Sequence, residues 1–120
     1  VALHEVAHRI DMLNIRSGEN HKFRDAIESA MKTVPKYLEA LQLAAERSDS
    51  SAFHDILDAL SDGLLETKYS HGKEYWTSDK RNRALEIFAE LFALEAQNRQ
   101  ELKIVKAAWP ELWDAYKSLF

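Results

Sequence analysis

ALEIFAELFAL, residues Ala84–Leu94, is the stretch on which the fold turns. Leu85, Ile87, Phe88, Leu91 and Phe92 cover much of the circumference of a helix, and Ala84 and Leu94 extend the run. A helix that is apolar round most of its surface belongs inside a protein, with other helices packed against it. Two acids, Glu86 and Glu90, stand four apart on one face of this helix. Most helical glutamates point into solvent. Carboxylates set within so apolar a run are more easily explained if something in the interior calls for them.

Working outward, the rest of the chain is patterned as helix. Residues 2–13 place Val6, Ala7, Ile10 and Leu13 at helical spacing, and Asn14 to Asn20 reads as a break. From His21 to about Arg47 the series Phe23, Ile27, Met31, Val34, Leu38, Leu41 and Ala45 is again helical. Pro35 interrupts it, predicting a kink or two helices meeting near Thr33. The serines at 48, 50 and 51 form a turn and an N-cap for a helix with Phe53, Ile56, Leu57 and Leu60 on one face. Ser61 to Asp79 reads as an irregular, aromatic-rich loop of the kind that serves a site. Thr77-Ser78-Asp79 caps a helix from Lys80 to about Ala96, and a short helix follows near Arg99 to Ala107. Pro110 suits the first turn of a last helix carrying Leu112, Trp113, Tyr116 and Leu119. The expectation is an all-α chain of five or six helices forming one domain over residues 1–120.

Composition agrees and removes some functions. With 46% hydrophobic residues in 120, the chain can bury one core, and three Gly with two Pro favour helices joined by short loops. The balance of 16 basic and 20 acidic side chains, net −4, offers no footprint for a phosphate backbone, so direct nucleic-acid binding is not expected. Lys80-Arg81-Asn82-Arg83 is the one basic cluster and reads as a solvated helix start. Without cysteine there are neither disulfides nor thiolate metal sites. No apolar run is long enough for a membrane span or a signal peptide.

Chemistry enters at the other end of the chain, in LHEVAHRID, Leu3–Asp11. Histidines four apart on a helix lie one above the other, so His4 and His8 can converge on one ion. Glu5 lies about a hundred degrees round from His4. From there its carboxylate can act as a general base without itself being a ligand. A catalytic zinc takes three protein ligands and keeps one position open, so a third donor is needed. Glu86 and Glu90 are the candidates. Asp11, three residues beyond His8, can accept from the outer nitrogen of a ligating imidazole or from a backbone donor. The plainer alternative makes His4 and His8 half-buried helix residues and Asp11 a surface acid. His21 and His54 have no partner pattern and read as surface or cap-region residues.

Together, HEVAHRID and ALEIFAELFAL resemble the zincin-type metallopeptidases of the anthrax lethal factor class. They are more similar still to the metallopeptidase-like domains of bacteriophage minor head proteins and related toxin-like polypeptides. FHDILDALSDG (residues 53–63) resembles the helix leading into a loop in those domains, and YSHGKEYW (69–76) their His-x-x-x-Tyr-Trp segment, so the likeness covers residues 3 to about 113. It implies His4, His8 and Glu86 as zinc ligands, Glu5 as general base and Glu90 as an acid supporting a ligating histidine. His71, or else Tyr75, is then the donor that stabilises the oxyanion. The implied activity is zinc-dependent hydrolysis of a peptide or protein substrate, with phage head or host proteins as partners and a bacterial cytoplasm or virion as location. The competing expectation is a structural or interaction domain of a virion or toxin-like protein with an unused zinc site. Zincins carry a sheet before the histidine helix, so the resemblance makes this chain the helical part of a longer polypeptide, its sheet lying upstream.

Overall fold

The computed structural model describes residues 2–65, 80–97 and 100–120. These are helical in six stretches, with no strand among the described residues. In chain order the helices are α1 (Ala2–Ile10), α2 (His21–Thr33), α3 (Leu38–Glu46), α4 (Ser51–Ser61), α5 (Lys80–Gln97), α6 (Gln100–Ala108) and α7 (Pro110–Lys117), with α2 and α3 run together as one stretch. The all-α expectation therefore holds.

α5 is the axis of the molecule. Ala84, Ile87, Phe88, Ala89, Leu91, Ala93 and Leu94 are buried along it, and α1 packs on one side while α4 packs on another. α4 is nearly as enclosed, burying Ala52, Phe53, Ile56, Leu57, Ala59 and Leu60. Around this pair, α2 contributes Phe23, Ala26, Ile27 and Ala30, and α7 contributes Leu112, Ala115 and Tyr116. Two helices that are apolar round most of their circumference need such a jacket to keep those faces from water.

Local chemistry sets the boundaries. Asn20 caps α2 by accepting from Phe23 N at 2.9 Å, and Ser50 caps α4 by accepting from Phe53 N at 3.2 Å. At Pro35 the chain tightens into a 3-10 turn, Val34–Tyr37, since proline cannot donate the bond that would continue α2. Trp109 Nε1 donates to Thr33 Oγ1 at 2.9 Å, tying that turn to the α6–α7 junction.

Three details depart from the sequence reading. Val6 is exposed, and the inward face of α1 carries Leu3 and Ala7, spaced four apart as a helix facing α5 requires. His54 is buried, its Nε2 contacting the Ser48 carbonyl at 2.8 Å, so it pins the turn before α4 and is no surface residue. Arg83 is no solvated cap residue either. Its side chain is 11% exposed, and the guanidinium donates to the Ala59 carbonyl at 2.6 Å and pairs with Asp62 at 2.5 Å, fastening the start of α5 to the end of α4.

Candidate metal centre

α1 ends in a π-helical turn, Asp11–Ile15, closed by Arg16 in the left-handed region at φ 55°. Asp11 makes this turn hold. Fully buried, it accepts from Ser17 N at 2.5 Å and from Ser17 Oγ, so its hydrogen bonds among the described residues run to the backbone and hydroxyl of Ser17. The turn folds the chain back and leaves α1 lying against α5. In that position His4 and His8 face Glu86, one turn past the Arg83 anchor.

Three donors converge there. His8 Nε2 lies 2.9 Å from His4 Nε2 and 3.1 Å from Glu86 Oε1, and His4 Nε2 lies 3.6 Å from Glu86 Oε2. All three ligand atoms fall within 4.8 Å of one another. A tetrahedral zinc bonded to nitrogen and oxygen at 2.0–2.2 Å separates adjacent donors by about 3.3 Å. The separations bracket that value, and two imidazoles with one carboxylate are a donor set zinc takes. The residues fit the ion.

Electrostatics describes how the cluster is held without it. Burial lowers the His4 pKa, outweighing the raising effect of Glu86, so this imidazole stays neutral. His8 is raised, first by its hydrogen bond to Glu86 and against the cost of burial. A proton on His8 Nε2, donated to Glu86, thus occupies the point where the three donors meet.

Behind His4 stands Glu90, 3% exposed in the apolar run of α5, whose Oε1 contacts His4 Nδ1. Burial, then the neighbouring Asp55, pushes the Glu90 carboxyl up to about 9. Glu90 thus holds the ring from its Nδ1 side, with Nε2 turned toward His8 and Glu86.

A groove of about 470 Å³ opens beside His4, lined by Leu3, Glu5, Ala52, Asp55, Glu86 and Glu90 among others. Glu5 is exposed and edges this groove, next to the ligand atoms but outside the trio. The structure therefore brings His4, His8, Glu86, Glu90 and Glu5 together, and sets Asp11 at the end of the same helix. His71 and Tyr75 lie outside the described residues. Asp55 was missed by the sequence reading. Its signal was the same as that of Glu86 and Glu90: an acid inside an apolar helical run, here AFHDILDAL, residues 52–60.

No helix among the described residues is long and apolar enough to cross a membrane. Comparison of the chain with protein-family models, with curated proteins and with solved structures finds no match.

Proposed function

We propose that this domain binds one zinc ion through His4, His8 and Glu86 and uses it to hydrolyse a peptide bond, as its resemblance to phage-type zincin domains implies. The observation that carries this reading is the convergence of three donors from two helices at 2.9, 3.1 and 3.6 Å. Bound there, zinc supplies a Lewis acid that polarises the scissile carbonyl and makes a water easier to deprotonate.

The remaining work falls to side chains. Glu5, on the edge of the groove, takes a proton from the attacking water and passes it to the leaving nitrogen. One C–O bond forms, one C–N bond breaks, and a carboxylic acid and an amine leave. Glu90 holds the His4 ring in the orientation that presents Nε2. The oxyanion role of His71 or Tyr75 belongs to the same reading.

The test is metal analysis of protein prepared without chelator, beside a hydrolysis assay on a mixed peptide library. One zinc per chain is expected, and it is lost in His4→Ala and in Glu86→Ala. Glu5→Gln keeps the zinc and loses hydrolysis by about 100-fold or more. Protein without stoichiometric zinc refutes the reading. Zinc retained without hydrolysis of any peptide moves it to a binding or structural domain.

A further inference from the structure

A cavity lies on each side of the metal centre. α1 and α5 run antiparallel past it, since His4 meets Glu90 while His8 meets Glu86. Toward the start of α1 is the groove beside His4, which follows α5 as far as Ala93 and Gln97. In the other direction, past His8, a second groove of about 540 Å³ opens between the π-helical turn and the first turns of α5. Met12, Asn82 and Leu85 are on its wall. Met12 follows His8 by four residues, one turn or about 6 Å, and Leu85 directly precedes Glu86. Glu5, at the edge of the first groove, and Met12, on the wall of the second, are both exposed and about two turns apart, so the grooves open along one side of α1.

The side chains of the second groove decide what it can select. Asp11 is committed to Ser17, and Arg16 pairs with Glu19 at 3.9 Å, so the charged residues of this wall already have partners. The surface left for a ligand is apolar. Met12 is 72% exposed, more than any other large apolar side chain among the described residues. Leu85 is only partly buried, although Ala84 and Ile87 near it lie in the core. Asn82 adds a side-chain amide that can pair with a peptide backbone. A concave apolar wall with a few placed polar groups is how side-chain pockets are built.

An extended peptide rises about 3.3 Å per residue and turns every second side chain to the same face. With the scissile carbonyl at the three donors, a side chain two residues along lies about 6–7 Å away, where Met12 and Leu85 stand. We infer that the Met12–Leu85 groove is a specificity pocket for a large apolar side chain of the substrate, two residues from the scissile bond. The chain on the other side of that bond runs through the groove beside His4. The inference rests on the zinc-hydrolase reading above, whose substrate class it narrows to extended peptides with Leu, Met or Phe at this position.

Two measurements test it, and the second does not need the reaction. When zinc-loaded protein digests a mixed peptide library, the products should show Leu, Met or Phe two residues from the cut, favoured over Asp and Lys by about tenfold or more. Met12→Lys should move that preference toward acidic residues with zinc stoichiometry unchanged, and Met12→Leu should keep it; the exposure of Met12 lets the fold tolerate both. In metal-free protein, carbon-13 methyl NMR should show the Met12 and Leu85 signals shifting with the blocked peptide acetyl-Ala-Ala-Leu-Ala-Ala-amide and staying in place with its Asp counterpart. A library cut without apolar preference, or with one that Met12→Lys leaves unaltered, overturns the inference. So do methyl signals that answer both peptides alike. Wild-type protein without zinc or without hydrolysis overturns the zinc-hydrolase reading instead, and the methyl response then decides by itself whether the groove takes an apolar side chain.

Discussion

Asp11→Ala separates two tasks that one acid could perform at the end of the histidine helix. Asp11 is fully buried and accepts from both the backbone N–H and the hydroxyl of Ser17, closing the turn in which Arg16 is left-handed. A hydrogen bond to a charged acceptor contributes about 1.5–3 kcal/mol, and Ser17 is itself buried, so its donors would be left without a partner. Summed over the two bonds, the substitution should cost about 3–6 kcal/mol, a large part of the 5–15 kcal/mol that holds a typical domain. At roughly 4 °C per kcal/mol for this length, the thermal midpoint falls by about 12–24 °C. Asp11→Asn keeps a carbonyl for the Ser17 N–H and should lose about half as much. Urea unfolding of the metal-free protein, followed by helical circular dichroism, measures both. A loss below about 1 kcal/mol in Asp11→Ala would show that the turn does not depend on this acid. If zinc affinity fell in such a variant, Asp11 would be acting on His8.

Other perturbations probe the centre and the frame that carries it. Because the hydrogen bond to Glu86 raises His8, a proton competes with the metal. Zinc affinity should drop about tenfold per pH unit once the pH falls below the His8 pKa, and calorimetry in buffers of different ionisation heat should detect the released proton. Affinity unchanged on acidification would contradict the proton's placement. Saturating zinc at a hundred times its Kd should stabilise the fold by about 2.7 kcal/mol, and no such gain should appear in Glu86→Ala. Tyr116 is buried and donates to Glu95 at 3.1 Å; burial first, then the Glu95 charge, pushes its hydroxyl far above its usual value near 10. The folded chain keeps this proton while the unfolded chain releases it, so stability is full below about pH 10 and declines above it. Tyr116→Phe should cost about 1 kcal/mol at neutral pH and flatten that alkaline decline, as urea midpoints on either side of pH 10 would reveal. Arg83→Lys cannot reach the Ala59 carbonyl and Asp62 together, so it should destabilise by about 1–2 kcal/mol in the same urea assay. An unchanged midpoint would mean the fork is not needed.

Much of this was legible in the residues, and what was not had a common cause. Helical periodicity is local, so the run of α5, the interruption at Pro35, the serine cap of α4 and the proline start of α7 could be read directly. The spacing of His4 and His8 is local in the same sense, since a helix alone puts positions four apart on one face. What partners that face is not local. Only the packing of α1 against α5 brings Glu86 to the two imidazoles and Glu90 to the back of His4. The burial of Asp11 and His54 and the partial enclosure of Arg83 likewise come from partners distant in sequence or from a turn whose geometry no pattern announces. Asp55 shows the difference most clearly: on its own helix it is one acid among apolar neighbours. The fold sets it on the wall of the groove that His4, Glu86 and Glu90 also line, because which groups a carboxyl meets depends on helices packed from elsewhere in the chain.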